Sequence, residues 1–209
     1  AALYISNGRK EGGMRGMRRR LRLNRYKRLE YLEFIDFYRK TVPLGIKTTP
    51  DMSIKFKVSA PQSSYYCSFL QTMADSYSKY FGLGKNPAGA ITYTNKSTSA
   101  IEIAKSNGAV WDVYITSLSR STNTIHDGRF AQLGIDYGLE YDLVIGINKY
   151  LDNNWSRMTE VKLYHLIIDD GNGQKLDLQP VKRLEDGKTG LLDRVSGKFF
   201  DFTGMVKQQ

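Results

Sequence analysis

At 209 residues, with 41% apolar and 12% aromatic side chains, the chain has material for one sizeable core, and all-β sandwiches run to this length as single units. One cysteine, Cys67, excludes an intrachain disulfide framework, and no stretch approaches the ~18 apolar residues of a membrane helix. The net charge of +10 points to nucleic acid only if it is spread over a folded face.

It is not spread. Residues 1–28 hold ten Lys or Arg against one acid, Glu11, for a net +9, whereas the remaining 181 residues carry 21 basic and 20 acidic side chains, for a net +1. Arg15, Arg18, Arg19, Arg20, Arg22 and Arg25 repel one another, and Gly12, Gly13 and Gly16 resist helix, so this arm is expected to be extended. Arginines stand where a secretory leader would need an apolar run, so no such leader is expected. Three uses of the arm stay open: docking onto an acidic protein partner, contact with nucleic acid, or a solubilising leader.

From residue 29 the pattern is that of strands. Met52, Ile54, Phe56 and Val58 alternate with Ser53, Lys55, Lys57 and Ser59, which predicts an antiparallel strand over Asp51–Ser59 with one dry face. Further strands are predicted at Tyr65–Gln71, Tyr77–Leu83, Ala90–Thr94, Ala100–Ala104, Val110–Thr116, Arg129–Leu133, Tyr141–Ile147 and Glu160–Ile168. Turn residues separate them, as at Gly84-Lys85-Asn86-Pro87 and Ser106-Asn107-Gly108. A short helical turn is expected in Thr72–Tyr80, and no internal repeat is expected. Cys67 reads as a buried structural thiol, and Trp111, in phase with Val113 and Ile115, as core.

The last third carries the sharpest punctuation. After the strand Val161–Ile168 comes the turn Asp169-Asp170-Gly171-Asn172-Gly173. The strand Gln174–Val181 follows, with Pro180 near its end, where a missing ladder donor is tolerated. The string from Lys162-Leu163-Tyr164 through Leu178-Gln179-Pro180-Val181 to Gly190-Leu191-Leu192-Asp193 and Val195-Ser196-Gly197-Lys198-Phe199-Phe200 resembles the closing segment of concanavalin-like, laminin-G-like domains. These include the forms found in bacteriophage structural proteins and gut-bacterial surface proteins. Tyr26–Phe34, followed by Leu44-Gly45-Ile46-Lys47, resembles the first strand of the same group.

The resemblance implies an all-β antiparallel sandwich, a concanavalin-like jelly roll, behind an extended basic arm. The expected organisation is an arm at 1–28, a sandwich at 29–204 and a tail at 205–209. It implies a non-enzymatic virion component of head or tail, within an oligomeric assembly with other virion proteins. The competing expectation is a lectin-like module on a virion or bacterial surface.

Catalytic patterns are sparse. Glycosidases need two carboxylates flanking the scissile bond. The nearest pattern, Glu140-Tyr141-Asp142, has Ile145 where a partner acid would stand. His126 falls in a turn-like stretch and His165 inside an apolar strand, and with one cysteine they make no zinc set, so no cofactor is expected. Asp152-Asn153-Asn154 and Asp169-Asp170-Gly171-Asn172 offer oxygen ligands for calcium, although the same residues are what tight turns require. For a glycan, Trp155 is the candidate platform, with Tyr150, Asn153 and Asn154 beside it; packing in the core or against another subunit is the other reading of Trp155.

Overall fold

The computed structural model describes residues 25–35, 41–49, 51–62, 67–73, 81–95, 101–105, 108–115, 121–126, 129–134, 141–146 and 161–207. In chain order the strands are β1 (Tyr26–Arg28), β2 (Leu32–Glu33), β3 (Thr41–Lys47), β4 (Ser53–Ser59), β5 (Cys67–Thr72), β6 (Phe81–Lys85), β7 (Ala90–Asn95) and β8 (Ile101–Lys105). They continue with β9 (Val110–Ile115), β10 (Ser121–His126), β11 (Arg129–Gly134), β12 (Asp142–Gly146), β13 (Lys162–Asp169), β14 (Lys175–Arg183), β15 (Thr189–Asp193) and β16 (Phe199–Asp201). No helix occurs among the described residues.

Two antiparallel sheets form a sandwich. The larger runs β11-β10-β9-β4-β13-β14-β15-β16, with β1 on β14 and β2 on β13; the smaller runs β3-β12-β5-β6-β7-β8. The alternation in β4 is realised from Met52 to Val58: Met52, Ile54, Phe56 and Val58 are buried, while Lys55 and Lys57 are exposed; Ser59, expected on the wet face, is buried, its hydroxyl donating to the Gly108 carbonyl. Phe56 meets Phe69 of the opposite sheet edge-on, with ring centroids 5.5 Å apart. Leu143 and Ile145 of β12 join the same core, as do Leu163, Leu166 and Ile168 of β13. Cys67 is buried there, and Trp111 packs against it from the margin.

The large sheet is split. Strands β13 and β14 pair only from Leu166↔Leu178 to Asp169↔Lys175 and then diverge. Pro180 marks the divergence: it has no N–H to continue the ladder, and its carbonyl accepts the N–H of Leu29 at 3.0 Å. Strand β1 lines β14 through Tyr26↔Arg183 to Arg28↔Val181, and β2 lines β13 through Lys162↔Glu33 and Leu163↔Leu32. Residues 26–33 thus run into the opening along one wall, turn at Leu29–Tyr31, and leave along the other.

Several boundaries differ from the sequence expectation. Tyr26–Arg28, placed with the arm by charge, already belong to the sheet. Residues 205–207, set apart as a tail, belong to the body: Met205 and Val206 are buried, Val206 bridges Phe34, and the Lys207 N–H bonds the Glu33 carbonyl at 2.9 Å. Strand β10 was not predicted, and His126 closes it opposite Arg129 rather than lying in a turn. Thr72 ends β5; the rest of the expected helical turn, from residue 74, lies outside the described residues.

The expectation of no internal repeat also fails locally. The turns after β14 and β15 share one pattern ten residues apart. Arg183 N–H bonds Lys188 O and Gly187 N–H bonds Arg183 O; Asp193 N–H bonds Lys198 O and Gly197 N–H bonds Asp193 O. Gly187 and Gly197 both sit at positive φ, 72° and 78°, where a side chain would be strained. The flanking residues differ enough to hide the repeat in the sequence.

Candidate functional site

A bulge in β13 creates the most distinctive surface feature. Leu163 faces Val58 and His165 faces Lys57, so Tyr164 is one residue more than β4 supplies opposite it. The period-two alternation is broken there, and Tyr164 and His165, consecutive in the chain, both line a depression of about 630 Å³. Arg28, Leu29 and Glu30 form another wall at the tip of the β1–β2 insertion, with Gln179 and Pro180 of β14, Lys57 of β4 and Val110 of β9 completing it. A second depression of about 330 Å³, lined by Lys55, Asp112, Tyr114 and Ile167 among others, shares Lys57 and His165 with the first. Together they make a groove across β9, β4, β13, β14 and β1, on the face of the large sheet opposite the core.

Its polar groups are ordered. His165 Nε2 lies 2.7 Å from Asp177 Oδ1, and Asp177 Oδ2 lies 3.3 Å from the Arg194 guanidinium. This gives the Nε2 of His165 the kind of partner expected for a strand histidine. Tyr164 packs against Tyr31 with ring centroids 5.3 Å apart, and Lys162 Nζ sits 4.6 Å above Tyr31. Burial raises the Tyr164 phenol above its ordinary range, against the pull of Lys162 and with help from Glu30, so at neutral pH it keeps its proton and can donate as well as accept. On the adjacent row Lys55 Nζ lies 4.4 Å over the Tyr114 ring.

The residues singled out in the sequence are placed unevenly. Arg15, Arg18, Arg19, Arg20, Arg22, Tyr150, Asn153, Asn154 and Trp155 lie outside the described residues, as do Glu140 and Asp152. Arg25 is exposed, and its carbonyl accepts the Leu184 N–H at 2.8 Å. In the Asp169–Gly173 turn the acids serve the backbone. Asp169 Oδ1 accepts the Gly171 N–H, and Asp170 Oδ1 accepts those of Asn172 and Gln174. Gly171 and Gly173 adopt positive φ, so the turn reading accounts for the composition. Among the described residues no three His, Cys, Asp or Glu side chains are grouped to hold a metal.

The groove residues were missed because they come from five strands and the β1–β2 turn, and from positions 28 to 180. Two signals stood in the sequence: the polar pair Tyr164-His165 inside an apolar run, and Pro180 in the neighbouring strand.

The fold defines the chain as an all-β antiparallel sandwich. No family model matches it, and no curated protein sequence does. Among solved structures, a SAP-like pentraxin from Limulus polyphemus, described as a native heptamer, is similar over 67% of this chain and 75% of its own, with 11% identity and a TM-score of 0.46. A GlcNAcα1-4Gal-releasing endo-β-galactosidase from Clostridium perfringens is similar over 79% of this chain and 58% of its own, with 9% identity and a TM-score of 0.34. Values this low carry nothing about activity.

Proposed function

We propose that this chain is a non-catalytic structural protein of a bacteriophage virion, in head or tail, whose basic N-terminal segment anchors the sandwich to a neighbouring protein. The observation behind this reading is the join between the two parts. Nearly all the net charge precedes residue 29, and the chain passes from it directly into β1, inside the split of the large sheet. Arg25 is tied to Leu184 and Leu29 to Pro180, so a load on the arm passes into sheet hydrogen bonds rather than into a loose linker. The Phe34–Val206 bridge, with Ile35 N–H on Met205 O, fastens the segment that follows.

Arginines make forked hydrogen bonds to carboxylates, which suits an acidic protein surface repeated around an assembly. Ordering such an arm costs roughly 1–2 kcal/mol per residue, so the partner surface has to be extensive. The body, at net +1, has little attraction of its own for a polyanion.

Deleting residues 1–24 leaves β1 intact and is expected to abolish incorporation into particles while circular dichroism and melting of the chain stay unchanged. Normal incorporation of the truncated chain overturns the proposal. So does steeply salt-dependent binding of the full chain to DNA with no binding to virion proteins, which would assign the arm to nucleic acid instead.

A further inference from the structure

We propose that Asn172-Gly173, in the turn between β13 and β14, is a self-modification site, where the asparagine loses its amide through a succinimide and becomes a mixture of aspartate and isoaspartate. Neither the arm nor any partner is needed for it.

The chemistry needs a main-chain N–H that can lose its proton and swing onto the side chain before it. Hydroxide takes the proton from the Gly173 nitrogen, which attacks Asn172 Cγ. The new N–Cγ bond closes a five-membered ring, the Cγ–Nδ2 bond breaks, and ammonia leaves with a proton from water. Water then opens the ring at either carbonyl. Cleavage at the side-chain carbonyl gives aspartate; cleavage at the main-chain carbonyl gives isoaspartate, with one more methylene in the backbone. In sum, one water is taken up and one ammonia released.

Residue type alone does not single this step out. Among the described residues, Asn or Asp precedes glycine at Gly108, Gly171, Gly173 and Gly187. The Gly108 N–H donates to the Ala60 carbonyl at 3.3 Å, that of Gly187 to the Arg183 carbonyl at 2.9 Å, and that of Gly171 to Asp169 Oδ1 at 3.0 Å. A held N–H resists both deprotonation and the movement that ring closure requires. Asp170 Oδ1 takes the N–H groups of Asn172 and Gln174, on either side of Gly173. The Gly173 N–H is passed over and donates to no group among the described residues. The Asn172 side-chain amide likewise has no hydrogen-bond partner among them, so it is free to rotate onto that nitrogen. Both residues are exposed, so water and hydroxide reach them, and a Cβ built on Gly173 would meet nothing within 4 Å.

The turn is tied into the sandwich, which gives the modification a consequence. The Asp170 N–H bonds the Gln174 carbonyl at 3.0 Å, the Gln174 amide donates to the Gly45 carbonyl at 3.1 Å, and the Thr49 hydroxyl donates to the Asp170 carbonyl. A methylene added between Asn172 and Gly173 falls inside the loop that Asp170 and Gln174 close. It displaces Gln174 from Asp170 and so loosens the tie to β3, the edge strand of the other sheet. The new carboxylate also stands beside Asp169 and Asp170, where like charges repel.

The experiment is to age the full chain in mildly alkaline and mildly acidic buffer and follow each Asn–Gly step by peptide mapping with mass spectrometry. Isoaspartate is counted with a protein isoaspartyl methyltransferase. We expect conversion at Asn172 to run at least tenfold faster than at Asn107, to speed up with pH, and to yield isoaspartate as well as aspartate. Aged protein should melt lower than fresh protein, in step with its isoaspartate at this position. Asn172→Gln, whose longer side chain would have to close a six-membered ring, should stay unmodified there and keep its melting temperature on ageing. That variant retains Asn7 and Asn107, so damage at those positions is left in place. Conversion at Asn172 no faster than at Asn107, or a yield of aspartate alone, overturns the site. Aged protein that melts like fresh protein, or a loss that Asn172→Gln does not prevent, overturns its coupling to the fold.

Discussion

The Asp193 carboxylate accepts the backbone N–H of Asp177 at 3.0 Å, tying the end of β15 to β14 from a fully buried position. The same carboxylate takes the N–H groups of Val195 and Ser196 and the Ser196 hydroxyl, so one side chain both closes the turn and holds two strands. Burial alone would raise its pKa; the hydrogen bonds from Asp177, Ser196 and Val195 together outweigh it and hold the group below the usual carboxylate range. A depressed folded-state pKa contributes stability that is present above the unfolded value and lost as pH falls through the folded one. Asp193→Ala is expected to cost about 2–3 kcal/mol in urea unfolding at pH 7. The difference from wild type should shrink on acidification below about pH 4.

Gly190 sits beneath an aromatic lid. A Cβ built there would lie 2.0 Å from the Phe200 carbonyl and 2.8 Å from Phe199 Cζ, and the Phe199 ring itself stacks on Tyr26 and meets the Arg183 guanidinium. Gly190→Ala should destabilise by about 1–3 kcal/mol, as overpacking does, and shift the Tyr26 and Phe199 ring resonances in NMR spectra. Wild-type stability in this variant would mean that the β16 backbone at Phe200, as well as the Phe199 ring, moves aside at little cost.

Arg183 reaches Asp186 across the first of the two matching turns, with Nε 2.9 Å from Oδ1. That hydrogen bond is the main reason the Asp186 carboxyl is lowered to about 2. In Arg183→Gln its titration, followed by carbon NMR, should move up toward the ordinary range, although not fully, because the Lys188 N–H still donates to it at 3.2 Å.

The Thr189 hydroxyl is buried with no hydrogen-bond partner among the described residues. Replacing an unsatisfied polar group by an apolar one of the same shape removes a desolvation penalty. Thr189→Val is therefore expected to raise the melting temperature, by an amount corresponding to roughly 1 kcal/mol. A fall would show that the hydroxyl has a partner elsewhere in the chain.

Removal of residues 205–209 tests whether the C-terminal end is structural. Loss of the buried Met205 and Val206, together with the hydrogen bonds that Ile35 and Glu33 make to that end, should cost several kcal/mol on the scale of large core truncations. Thermal melting would read this directly.

The strands were legible where one face is dry and the other wet. In β4 the apolar side chains recur every second residue, and burial follows that period without exception from Met52 to Val58. Strand β10 was not legible, because Ser121-Thr122-Asn123-Thr124 carries no apolar alternation to read. The tail was misjudged for a related reason: Met205-Val206 is too short to show a period, and its burial depends on Phe34, far away in the chain.

The sequence by itself determined the division of charge between arm and body and the two-faced strands of the sandwich, because both are local properties of composition and period. Only the tertiary structure decided that β13 and β14 part at Pro180, that residues 26–33 fill the opening, and that Tyr164, His165 and Gln179 meet Arg28 and Glu30 there. Strand pairing and register set those meetings, and pairing across more than a hundred residues depends on how two sheets close over one core.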